Sequence, residues 1–261
     1  WIDTTKNGNK VYIFQPIYLS LSLIKFRGNA ISNLLSVRAI KRTIKKYKIN
    51  PDVFYGHFWE SGIDACLVAN KKPVYVACGE SDIWVYERYT QKVINDALPQ
   101  IKGVICVSTK NKKECEELGL LKFKPKTIVL PNAVDENEFY YIEKSIAREK
   151  IGLKTNDLVV VFVGAFIERK GVLRVIEAAK NIEGLKLILI GKGDQVPVSE
   201  QIFFKGVVPH EEIVYYLNAS DIFVLPTLSE GCCNAIVEAM SCGLPIISSN
   251  LPFNDDILDN T

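Results

Sequence analysis

Along the chain, short apolar runs rich in Val, Ile and Phe alternate with longer stretches whose apolar positions recur at helical spacing. The runs VYIFQP (11–16), DVFYGH (52–57), PVYVA (73–77), GVICVS (103–108) and TIVLPN (127–132) predict strands in a first half. A second set follows at LVVVFVGAF (158–166), LKLILIG (185–191), QIFFKG (201–206), DIFVLP (221–226) and PIISS (245–249). KGVLRVIEAAKNI, HEEIVYYLNAS and NAIVEAMSC read as the helices between them. The strands are almost wholly apolar, as expected where helices cover both faces of a parallel sheet. Residues 135–157 lack a strand pattern, IAREKIG offering one short helix, and read as a connection between halves. The expected architecture is therefore α/β, with two doubly wound, Rossmann-like parallel-sheet domains over 1–145 and 146–261 facing a cleft.

Composition narrows this little. Among 261 residues, 32 basic and 30 acidic side chains leave a net charge of +2, which argues neither for a nucleic-acid binder nor for an acidic tail, and no nucleic acid is expected as a partner. Cys66, Cys78, Cys106, Cys115, Cys232, Cys233 and Cys242 form no CxxC pair and no Cys/His spacing suited to zinc, so free buried thiols in a reducing compartment are expected. With no signal peptide and no apolar run of spanning length, a cytoplasmic protein is expected, at most peripheral to a membrane. A start at Trp1 and an end at NDDILDNT suggest a fragment cut at both ends.

In open parallel sheets, ligands sit beyond the carboxyl ends of strands, where helix N-termini present free amides. The second half has two such corners. In VGAFIERKG a strand over 158–164 leads to a helix expected near Lys170. Arg169 and Lys170 stand at the positive end of its dipole, where carboxylates are usual. A bound anion resolves that conflict; a solvated basic pair offset by Glu168 is the plainer alternative. GAFIERKG is neither a Walker loop nor a dinucleotide fingerprint.

The other corner is PTLSEGCCNAIVEAM, with Glu230 and Gly231 before a helix whose first turn is expected at Cys232 to Asn234. Eight helical steps from Glu230 to Glu238 span about 12 Å with roughly 80 degrees of rotation, which suits a ligand longer than a phosphate. A sugar, a pyrophosphate and a ribose have the required order of hydroxyl, negative charge and hydroxyl, and a buried Glu238 needs such a partner. The alternative is that Glu230 answers the helix dipole and Glu238 pairs with a nearby base.

These motifs together resemble the nucleotide-sugar glycosyltransferases of family 4, retaining enzymes of the GT-B fold. Glu230 and Glu238 match the E-x7-E signature, VGAFIERKG the strand-plus-KG corner and FFKGVVPHEEI the nucleobase loop; ASDIFVLPTLSEG and EAMSCGLPIISS agree further. PDVFYGHFWESG, PVYVACGESDI and GVICVSTKNKKE look like strand ends of the acceptor domain, and TIVLPNAVDENEF like the interdomain signature. The resemblance implies that Glu230 contacts donor sugar hydroxyls, Glu238 the ribose and Lys170 the diphosphate. Gly164 and Arg169 belong to the same donor corner; the backbone of Gly231, Cys232, Cys233 and Asn234 faces sugar and phosphate, and that of Gly206 to Val208 the base. It also implies retention assisted by the leaving phosphate, catalysis by positioning and charge stabilisation, and neither metal nor cofactor beyond the donor. No DxD motif is present. Ala165 stands where many members have a diphosphate-binding arginine, Cys78 where many have a histidine, and Ala133 where a glycine is usual. The family's first strand with its glycine-rich loop has no counterpart before VYIFQP, nor have its final helices at the other end, so both domains are expected to be incomplete.

On the acceptor side the candidates are His57, Glu80, Ser81 and Asp82. His57 closes a strand, where a catalytic and a structural role both remain open; His210 reads as a surface residue. Lys41, Arg42, Lys45 and Lys46 on one amphipathic helix suit an anionic membrane or a plain solvated face. The expected partners are a nucleotide-sugar donor and a saccharide or lipid-linked acceptor in surface polysaccharide synthesis. A GT-B nucleotide-sugar epimerase and a non-catalytic binding remnant are the rival readings.

Overall fold

The computed structural model describes residues 2–5, 8–18, 24–26, 28–154 and 156–259. Trp1 and Thr261, the ends on which the expectation of a cut chain rests, lie outside the described residues. The chain divides into two compact units, one of residues 1–106 with 111–129 and the other of residues 107–110 with 130–261.

The parallel-sheet part of the first unit runs from helix α1 (Ile31–Lys46) through β1 (Phe54–His57), α2 (Trp59–Val68), β2 (Val74–Cys78), β3 (Ile101–Cys106), α3 (Thr109–Glu117) and β4 (Lys126–Val129). Its four strands pair in parallel in the order β1-β2-β3-β4. Val74, Val76 and Val104 from the sheet pack with Trp59, Ile63, Ile94 and Leu98 from the helices, and all are buried. The run 11–16 does not join this sheet. Lys10–Tyr12 pairs antiparallel with Ile2–Thr4, and all three of its residues are exposed. An apolar run becomes a central strand where helices cover both faces, and this strand stays exposed.

The second unit holds β5 (Val159–Val163), α4 (Val172–Ala179), β6 (Lys186–Ile190), β7 (Ile202–Gly206), β8 (Ile222–Leu225), α5 (Asn234–Ser241) and β9 (Ile246–Ser248). These strands form one parallel sheet in the order β7-β6-β5-β8-β9. From β5 the chain winds outward through β6 to β7, then returns to lay β8 on the other side of β5. The loops after β5 and β8 therefore diverge from neighbouring strands at the switch point, where such sheets open a crevice.

Residues 135–157 are more than a tether. Phe139 and Leu153 are buried in the second unit's core, and Ala147 is fully buried as well. The helix Lys144–Lys150 is fastened by Arg148, whose Nη2 lies 2.9 Å from Asp221 Oδ2 and whose Nε donates to the Ala219 carbonyl at 3.0 Å. No helix among the described residues is long and apolar enough to cross a membrane.

The ends of β5, β6 and β7 converge on Gly191. Its amide donates to the Gly206 carbonyl at 2.7 Å, and the Gly164 amide donates to the Ile190 carbonyl at 2.9 Å. A Cβ on Gly191 stands 1.9 Å from the Gly164 carbonyl oxygen, a contact only backbone movement relieves. Gly191→Ala is accordingly expected to cost about 3 kcal/mol in urea unfolding; a loss below about 0.5 kcal/mol contradicts this packing.

Candidate functional site

Two loops meet at the switch point of the second unit. The first leaves β5 at Gly164 and reaches α4 through a turn ending at Gly171, whose φ of 81° is left-handed backbone open to glycine at little cost. α4 starts at Val172, so Arg169 and Lys170 lie in the turn before it. The second loop runs from the end of β8 to α5, which starts at Asn234 after an extended Cys233 that makes no side-chain cap bond. The expected helical turn at Cys232–Asn234 thus forms only from Asn234 onward: Cys233 holds φ −85° and ψ 108°, outside the helical region.

Arg174 of α4 joins these loops. Its Nη2 donates to the carbonyls of Pro226 at 2.7 Å, Glu168 at 3.0 Å and Arg169 at 3.3 Å, while the Leu228 amide donates to the Arg169 carbonyl at 2.9 Å. Across the seam thus held stands Glu230, whose side chain is 10% exposed. Its Oε1 lies 2.6 Å from Lys170 Nζ and 3.2 Å from Arg169 Nη1, and it accepts a hydrogen bond from the hydroxyl of fully buried Thr227 at 2.7 Å. Arg169 also donates to the Ser229 carbonyl. A buried carboxylate is tolerable only when so compensated. The expectation that Glu230 and Lys170 face separate parts of a ligand meets a different arrangement: the cation sits on the acid.

Glu238, further along α5, is half-buried, and burial raises its carboxyl above the usual range, partly opposed by His210. His210 Nε2 lies 3.7 Å away, with the ring edge-on to Phe139 at 5.2 Å. The end of β7 at Gly206 and the segment after it, carrying Val208 and His210, thereby reach α5. His210 is exposed as expected, but it is also the base beside Glu238. Gly231 and Cys233 are buried, and Asn234 is exposed. Asn132 holds the loop between them: its Nδ2 donates to the Cys232 carbonyl at 3.2 Å and to Asn234 Oδ1 at 2.7 Å. Thr227, Arg174 and Asn132 escaped the sequence reading. Asn132 in TIVLPNAVDENEF and Thr227 in PTLSEGCCNAIVEAM lie inside motifs singled out for other residues, whereas Arg174 carried no signal.

In the first unit, residues after β1 and β2 line a cavity of about 430 Å³ with the start of α1, among them Asn33, Ser36, Glu60, Asp64, Asp82 and Trp84. Asp82 is exposed at its edge. Glu80 is already engaged, one oxygen accepting from the Trp59 amide at 2.5 Å and the other from the Gly79 amide at 3.0 Å, and so fixes the start of α2. Ser81 is half-buried. His57 is exposed, lies outside the lining and packs at a 44° tilt against Phe58 with ring centroids 4.1 Å apart. Phe58 adopts φ 71°, strained for a bulky side chain, and such strain concentrates at functional sites. On α1, Lys41, Arg42, Lys45 and Lys46 are all exposed.

The sequence profile of the family described as Glycosyltransferase Family 4 matches residues 8–138, half of the chain. That of Glycosyl transferases group 1 matches residues 143–261. The chain belongs to glycosyltransferase family 4. Among its relatives, the UDP-Gal:alpha-D-GlcNAc-diphosphoundecaprenol alpha-1,3-galactosyltransferase of Escherichia coli is 29% identical across 99% of this family 4 chain and 70% of its own length. A Bacillus subtilis glycosyltransferase named for teichuronic acid biosynthesis is 28% identical across 82% of the chain, which spans 57% of that relative. Sucrose-phosphate synthase from Thermosynechococcus elongatus superposes with a TM-score of 0.69 at 21% identity, over 87% of the chain and 62% of that structure. Anabaena HepE in complex with UDP-glucose gives 0.66 at 19%, over 89% and 68%. These similarities place the two parallel-sheet units in the GT-B fold.

Asp64 in the cavity gives a pH signature. Its carboxylate accepts from the Tyr89 hydroxyl and, at 3.3 Å, from that of Ser36, yet burial outweighs both and raises its pKa from 3.8 to about 6. The folded chain thus binds this proton more tightly than the unfolded one. The contribution to stability is full below about pH 4 and falls as pH rises through 6, by about 3 kcal/mol. Asp64→Asn is expected to stabilise the chain by about 2 kcal/mol at pH 8 and little at pH 4; denaturation showing destabilisation at pH 8 contradicts this.

Proposed function

We propose that this chain moves a hexosyl unit from a nucleotide diphosphate sugar to a hydroxyl of a saccharide or lipid-linked glycan, with retention of configuration, in surface polysaccharide synthesis at the cytoplasmic side of a membrane. The observation that carries the reading is Lys170 resting on buried Glu230 at the switch point, beside the start of α5. An arriving diphosphate competes with Glu230 for Lys170 and Arg169, and the helix amides add to its stabilisation. Released in part from its cations, Glu230 is free to accept from donor sugar hydroxyls. Glu238 accepts from the ribose, with His210 behind it, and the backbone from Gly206 to Val208 faces the base. Catalysis in this scheme is chiefly positioning of the donor and stabilisation of departing diphosphate charge.

Support for the donor class comes from HepE, solved with UDP-glucose, and for the acceptor class from the name of the Escherichia coli relative. The cavity around Asp64 and Asp82 in the first unit is the proposed acceptor region, with exposed His57 nearby in sequence. The exposed cations of α1 lie beside a surface that includes Tyr12, Ile17 and Tyr47, each at least half exposed, which suits contact with an anionic membrane bearing the acceptor.

A panel of uridine, guanosine, adenosine and thymidine diphosphates in titration calorimetry tests the donor site, with isotope-tracked release of sugar from the matching donor as the activity readout. One diphosphate should bind far more tightly than its nucleoside, and Glu238→Ala should weaken it by about 1–3 kcal/mol through loss of a charged hydrogen bond. Equal affinity of Glu238→Ala and the parent chain contradicts the ribose assignment. Isomerised sugar without release contradicts transfer.

A further inference from the structure

The cysteine spacings carry no metal signature, but the fold assembles one from three elements. Cys78 ends β2 and Cys106 ends β3, where the two face each other in parallel register; Cys115 lies on α3. Their three sulfurs lie within 4.8 Å of one another, with Cys115 Sγ 3.6 Å from Cys78 Sγ, and all three residues are 0% exposed. We propose that Cys78, Cys106 and Cys115 form a three-sulfur site for a soft d10 metal cation in trigonal coordination.

The spacing supports this. With metal–sulfur bonds of about 2.3 Å, a trigonal site sets its sulfurs roughly 4.0 Å apart. The Cys78–Cys115 separation of 3.6 Å is about 0.4 Å short of that value, and no pair exceeds it by more than about 0.8 Å. The ligands stand on two strand ends and a helix, elements that hold geometry better than loops do. No fourth Cys, His, Asp or Glu joins the group among the described residues, so the tetrahedral set of structural zinc is not offered, whereas thiolates alone select soft cations.

One neighbour donates a hydrogen bond to the cluster. The Trp59 indole N–H donates to Cys115 Sγ at 3.2 Å, the kind of outer partner that orients a metal ligand. Cys66 and Cys242 are buried too, but neither joins the cluster. Each sulfur that ligates gives its proton to solvent, so binding releases up to three protons and weakens as pH falls. The bound cation fastens two strand ends to α3 beneath Trp59, in the wall of the acidic cavity.

The test adds Cd2+ to the full chain, reduced and free of metal and oxygen. The expected result is a sulfur-to-cadmium charge-transfer band that saturates at one cation per chain, with a rise in melting temperature. Cys106→Ser and Cys115→Ser should each lose both changes; Cys66→Ser and Cys242→Ser should keep them. Far-UV dichroism of each metal-free variant separates loss of a ligand from loss of the fold, and cadmium-113 NMR of the unsubstituted chain reads the number of bound sulfurs with no substitution at all. Absence of the band at one equivalent overturns the proposal, as does a band unchanged in Cys106→Ser, or a cadmium resonance without three sulfurs. These outcomes are independent of sugar-nucleotide binding.

Discussion

A carboxylate placed in a protein interior must be neutralised, and the second unit is organised around one such group. Glu230 sits almost out of water with Lys170 Nζ at 2.6 Å and the Thr227 hydroxyl at 2.7 Å, so its charge is compensated without a ligand. The pair resolves an electrostatic difficulty at the start of α4, where two cations stand at the positive end of a helix dipole. It also keeps the crevice from collapsing onto an unpaired charge. The same pairing makes the site switchable in the proposed function, because a diphosphate offers Lys170 more negative charge than one carboxylate does.

Strand order explains why these residues meet. Lys170 and Glu230 are sixty positions apart, yet β5 and β8 are hydrogen-bonded neighbours whose following loops point out of the same edge. Arg174 then ties both loops by three carbonyls, and Gly191 lets the ends of β5, β6 and β7 approach closely. Geometry at the site is therefore inherited from backbone convergence, and the charged side chains occupy positions that the sheet has already set.

Much of this was legible in the residue pattern. Nine of the ten apolar runs became strands of the two parallel sheets, because a run buried on both faces leaves an unmistakable hydrophobic record. VYIFQP failed since an apolar run carries no sign of whether a partner strand and covering helices exist. Glu230, Glu238, Arg169 and Lys170 stood out by type and spacing, but their pairings did not: which cation reaches which acid depends on rotamers and loop paths. Arg174 looks like any solvated helix residue, and its task appears only when its three carbonyl partners are brought together. The late start of α5 was hidden because two cysteines after a glycine give no capping signal. The cysteine trio was invisible because its spacing is set by sheet register across β2 and β3, not by distance along the chain.

The central claim is that the Lys170–Glu230 pair is a placeholder for the donor diphosphate. A double-mutant cycle on Lys170→Ala and Glu230→Gln, followed by urea unfolding with and without the nucleoside diphosphate that binds best, measures this most directly. Without ligand the coupling should be about 2 kcal/mol, and at saturation it should fall to roughly 0.5 kcal/mol or less as Lys170 transfers to phosphate. A coupling that stays the same when the nucleotide is bound would show that the lysine never leaves the acid, and would contradict the account.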